Sequence, residues 1–72
     1  MKENVLKFLD NHWEAPMRVF FSDGTVEDCK FFGYNYDYDD NGNEIMDIDF
    51  ERISDGMLIG GELSEIEKIE IL

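Results

Sequence analysis

The sequence predicts an α+β domain: an N-terminal helix followed by about five antiparallel strands that form a small, strongly bent sheet or barrel. Three observations carry this reading. Apolar residues recur at helical spacing over residues 3–13, and the pattern ends before a proline. From Pro16 onward the apolar period changes from helical to alternating. Clusters of Ser, Asp, Asn and Gly at 22–25, 40–43 and 54–56 cut the remainder into strand-length pieces.

The helix, ENVLKFLDNHW, places Val5, Leu6, Phe8, Leu9 and Trp13 on one stripe, with Glu3 suited to the positive end of the helix dipole. MRVFFS is short, aromatic and β-branched and reads as the first strand. Ser22-Asp23-Gly24-Thr25 is a hairpin signal, because Asp-Gly tolerates the positive φ of a tight turn. TVEDCKFFGYNYDY is then a long strand. Its alternation slips between Val26 and Cys29 and it contains Gly33, so a bulge or sharp bend is expected there. Tyr34, Tyr36 and Tyr38 share one face, and Asn35, Asp37 and Asp39 the other. After the turn at Asp40-Asn41-Gly42-Asn43, EIMDIDFERI alternates cleanly, with Met46, Ile48 and Phe50 inward and Asp47, Asp49 and Glu51 outward. Beyond Ser54-Asp55-Gly56, MLIGGEL is a short strand, and IEKIEIL is the last one, with Ile69 and Ile71 inward. A curled sheet of this size closes most simply as a small barrel with the helix over one open end.

The 72 residues make one domain, 1–72. Hydrophobic residues at 43% and aromatics at 14% favour a packed core over disorder. A single cysteine, Cys29, excludes an internal disulfide. Without a basic-then-apolar leader or an apolar run of membrane-spanning length, the expected location is the cytoplasm. Eighteen acids face six bases, a formal net charge of −12, and no base occurs between Lys30 and Arg52. This balance speaks against direct binding of nucleic acid or of an anionic membrane, both of which need clustered Lys and Arg. It fits either a solubility device or recognition by a partner with a basic surface.

The stretch YNYDYDDNGNEIMDIDFE raises the question of a metal. Asp37, Asp39, Asn41 and Gly42 match loop positions 1, 3, 5 and 6 of a calcium-binding loop, but position 12 is Ile48 rather than Glu. The metal candidates are therefore Asp37, Asp39, Asn41 and Glu44, as hard oxygen ligands for a divalent cation such as calcium. Zinc would have to draw on His12 and Cys29, the only nitrogen and sulfur ligands, and would need two more ligands besides. The same Asp/Asn/Gly run is what a hairpin tip requires, and that reading comes first. No other cofactor is expected. One Cys, one His and no glycine-rich phosphate loop point to a non-enzyme.

If the acids of the long strand and its partner share a face, they form a patch. Asp37, Asp39, Asp40, Glu44, Asp47, Asp49 and Glu51 are the candidate charges for contact with a partner, with Tyr36 and Tyr38 as aromatic anchors. The partner expected is a protein with a basic groove, such as a nuclease.

The order of helix, bent long strand, hairpin and closing strands resembles the Sm-like version of the SH3-type barrel. MLIGGELSEIEKIEIL is similar to the second Sm motif, with Leu58-Ile59-Gly60 in place and Ile59 where that family carries an arginine. Asp39 to Asn41 is the nearest match to the base-binding loop of the first motif. The resemblance implies the fold and assembly of copies into a ring, so a monomer or a small homo-oligomer is expected. The missing arginine speaks against RNA binding. In size and acidity the chain also resembles phage-encoded anti-CRISPR proteins, which implies inhibition of a CRISPR effector by occupancy of its groove.

Overall fold

The computed structural model describes residues 2–72, with side chains from Asn4 onward; the Glu3 side chain, expected at the positive end of the helix, lies outside the described residues. Helix α1 spans Lys2–Asp10, followed by β1 (Pro16–Phe21), β2 (Val26–Tyr38), β3 (Glu44–Arg52), β4 (Leu58–Glu62), a 3₁₀ turn (Leu63–Glu65) and β5 (Ile66–Ile71). The strands form one antiparallel sheet in the order β4-β3-β2-β1-β5. The sheet is open. β4 and β5 are its two edges, and no ladder among the described residues joins them into the expected barrel.

The helix ends three residues earlier than its apolar stripe predicts. Asn11 Nδ2 donates to the Lys7 carbonyl at 3.0 Å, and the His12 ring bonds the Phe8 carbonyl through Nδ1 at 2.7 Å. A carbonyl only accepts, so Nδ1 carries the proton. These two side chains reinforce carbonyls that also share the Asn11 N–H, at 3.3 and 3.2 Å, as the helix tightens and stops. Glu14 then takes a φ of 59° and donates its N–H to the Phe31 carbonyl at 3.0 Å. Trp13 thereby leaves the helix and forms a bridge beside Phe31, with ring centroids 4.4 Å apart.

Leu9, Met17, Val19, Cys29, Phe31, Ile48 and Phe50 are fully buried, with Leu63 and Ile66 nearly so. The expected irregularity in β2 is a bulge at Phe32: Phe31 pairs with Phe50 and Gly33 with Asp49. The extra residue changes the phase of the strand. Cys29 and Phe31 point inward before it, and Tyr34 and Tyr36 after it. A second bulge lies in β5, where Phe20 pairs with Lys68 but Phe21 with Ile66. It turns Ile66 into the core beside Ile69, whereas Ile71, expected inward, is about half exposed. The 3₁₀ turn was not foreseen; its Leu63 completes the core, and α1 packs against this turn.

All three turns use one device. Asp23, Asp39 and Asp55 each accept a hydrogen bond from the backbone N–H two residues on, at 2.8, 2.9 and 3.0 Å. Gly24, Gly42 and Gly56 supply the positive φ in each.

Candidate functional site: a two-stranded arm

The register defines an arm. β1 reaches along β2 only as far as Lys30, and β4 along β3 only as far as Asp47. Tyr36–Tyr38 and Glu44–Met46 therefore pair with each other alone. No third strand lies beside this ribbon, and although Met46 still packs on the core, Tyr36 is 60% and Tyr38 67% exposed.

Alternation assigns the side chains. Tyr34, opposite the buried Ile48, marks the inner face, and Tyr36 (opposite Met46) and Tyr38 (opposite Glu44) follow it. Asp37 lies on the outer face with Asp47, Asp49 and Glu51. The sequence placed nine residues in one binding surface, but the fold divides them. The tyrosines and Glu44 occupy one side of the arm and the four strand acids the other, so a single flat partner cannot touch both sets.

On the outer face Asp47 stands between Asn35 on β2 and Glu62 on β4, and Asp49 between Gly33 and Gly60. Asn35 Nδ2 donates to Asp49 Oδ2 at 3.3 Å, and Glu51 faces Lys30 across the ladder. None of the four acids takes part in an ion pair among the described residues. The arginines are engaged elsewhere: Arg18 forks onto Asp28, and Arg52 bridges Glu27 and Asp55.

At the tip the Asp39 carboxylate is turned into the loop. Oδ1 accepts from the N–H groups of Asn41 at 2.9 Å and Asn43 at 2.8 Å, and Oδ2 from Asn43 Nδ2 at 3.3 Å. These bonds, the Asn43 N–H foremost, hold its carboxyl below the usual carboxylate range. Asp40 and Asn41 are exposed in the same loop. The four residues singled out as metal ligands are not gathered: Asp37 and Glu44 point to opposite faces, and Asp39 serves the turn. Among the described residues no group of three or more His, Cys, Asp or Glu is placed to hold a metal ion.

Cys29 is buried, and that burial first, then Glu27 and Asp28, pushes its thiol up to about 12. A thiol held protonated at neutral pH is a poor nucleophile and a poor metal ligand.

Sequence reasoning missed an aromatic chain that leads from the core to the arm. Trp13 stacks at a tilt on Phe31, Phe31 lies parallel to Tyr34 at 6.3 Å, and Tyr34 meets Tyr36 edge-on at 6.3 Å. Trp13 read as a helix-stripe residue, and only the early helix end frees it for this role.

No family model and no curated protein matches the chain. Among solved structures, a Xanthomonas campestris protein described as adopting a novel variant of the Sm-like motif superposes with a TM-score of 0.73, over 99% of this chain and 81% of that one, at 13% identity. The chain has an Sm-like fold. At that identity the likeness speaks to architecture alone. Within this Sm-like frame Ile59, at the position of the resembled motif's arginine, pairs with Phe50 and packs on the core. No helix among the described residues is long and apolar enough to cross a membrane.

Proposed function

We propose that this chain is a non-enzymatic binding protein whose outer β2–β3 face docks on a basic groove of another protein. The carrying observation is the row Asp37, Asp47, Asp49 and Glu51, which shares one face and forms no ion pair among the described residues. Like charges side by side on a sheet oppose folding. A surface that keeps them is suited to a partner whose charge completes it. A nuclease, a CRISPR effector among them, owns a groove of this kind, and occupancy would inhibit it without chemistry.

The test is a tagged pull-down from bacterial lysate at low and at physiological salt, repeated with Asp47→Lys/Asp49→Lys/Glu51→Lys. A nucleic-acid-binding protein that elutes as salt rises, and is not captured by the triple variant, supports the reading. Capture that survives the charge reversal removes the outer face as the site.

The open edges favour a second reading, assembly of copies through β4 and β5. Both edge strands have free backbone groups, and Leu58, Ile71 and Leu72 beside them are exposed. Light scattering decides it: an oligomer supports edge pairing, and a monomer at high concentration excludes it.

A further inference from the structure

Between the arm and the 3₁₀ turn lies a cavity of about 200 Å³, lined by Tyr36, Glu44, Ile45, Met46, Glu62, Leu63 and Ser64. Met46, opposite Tyr36, and the buried Leu63 give it an apolar base. Tyr36 offers an aromatic wall, continued toward the tip by Tyr38, which pairs with Glu44. Ser64 Oγ donates to Glu62 Oε2 at 3.1 Å and so keeps that carboxylate beside the cavity. Neither Glu44 nor Glu62 forms an ion pair among the described residues, and no Lys or Arg lines the groove.

We propose that this groove takes an arginine side chain presented by an extended basic segment of a partner protein. Each part of arginine meets a part of the site. Its apolar stem suits Met46 and Leu63. Its planar guanidinium stacks on a tyrosine face and forks onto a carboxylate. An anion is repelled by Glu44 and Glu62. A purely apolar side chain would leave those carboxylates partly desolvated without a partner. Lysine supplies charge without the planar stack or fork. The groove takes Tyr36, Glu44 and Met46 from the inner side of the arm and reaches the β4 end at Glu62, which pairs with Asp47. It abuts the outer row but uses none of its four acids, so binding there is told apart from the outer-face reading by which residues shift.

The experiment is an NMR titration of the whole chain with the peptide acetyl-Gly-Arg-Gly-Arg-Gly-amide, beside counterparts carrying Lys or Gln in place of Arg. Shifts centred on Tyr36, Met46, Leu63 and Ser64 are expected, with the Arg peptide bound roughly tenfold more tightly than the Gln peptide and more tightly than the Lys peptide. Tyr36→Ala and Glu62→Gln should each weaken binding, while Tyr36→Phe, which keeps the ring, should not. Thermal melts of the variants separate lost binding from lost fold. Shifts confined to Asp47, Asp49 and Glu51 would overturn the groove and leave the outer face standing. Equal binding of the Gln peptide, or no shifts at all, would overturn it as well.

Discussion

Asp39 and Asn43 close the tip of the arm on each other: the Asp39 carboxylate takes both the backbone N–H of Asn43, at 2.8 Å, and its side-chain amide, at 3.3 Å. The corresponding aspartates of the other two turns, Asp23 and Asp55, are likewise held below the usual carboxylate range, Asp23 by Thr25 and Asp55 chiefly by the Met57 N–H. A carboxyl whose pKa is lower folded than unfolded stabilises the fold above its unfolded value of about 3.9, and that contribution disappears as pH falls through the folded value. Against this, the excess of eighteen acids over six bases means that early protonation relieves repulsion. The melting temperature should therefore rise as pH falls from 7 toward the carboxylate range and drop below it. Asp39→Asn should flatten the acid limb. A melting temperature that only falls from pH 7 downward would contradict this account.

The glycines separate cleanly. Gly42 has a φ of +80°, so Gly42→Ala should cost about 1 kcal/mol in urea denaturation. Gly33 has no positive φ, and an added Cβ would meet nothing within 4 Å. Gly33→Ala should be neutral or stabilising by up to about 1 kcal/mol, because the extra bulge residue is Phe32. A loss as large as that of Gly42→Ala would show that the bulge needs the glycine.

Phe31 joins the helix end to the sheet through Trp13, Tyr34 and Phe50. Phe31→Ala should cost about 3–5 kcal/mol, a large share of the stability of so small a domain. Tyr38→Ala, at 67% exposure, should leave the unfolding midpoint nearly unchanged. Comparable losses from both would place the tyrosine in the core.

Asp47 stands opposite Glu62. Asp47→Lys should replace a like-charge neighbour with an opposite one and raise stability by about 0.2–1 kcal/mol at low salt, with the gain fading at high salt. If the proposed outer-face reading holds, the same change weakens partner capture, so stability and binding move in opposite directions.

Much of the fold was legible because its signals are local. Alternation in EIMDIDFERI named Ile48 and Phe50 as core and Asp47, Asp49 and Glu51 as outer, and each Asp/Gly turn fell where its residues require it. The helix end was misread because its stop is set by Asn11 and His12 reaching back and by Trp13 pairing with Phe31, a residue eighteen positions away in the chain.

The sequence by itself determined which residues are apolar, where the chain turns and which side chains alternate, since these depend on neighbours a few residues apart. The tertiary structure decided which residue of β2 carries its expected irregularity, the bulge in β5, the open edges, and the division of the tyrosines from the strand acids. A one-residue bulge reverses every side chain beyond it, and its position is set by the register with the partner strand, which no local period encodes. The cavity beside Tyr36 has the same origin: Met46, Leu63 and Ser64 meet there only because β3 and the 3₁₀ turn are brought together by the packed core.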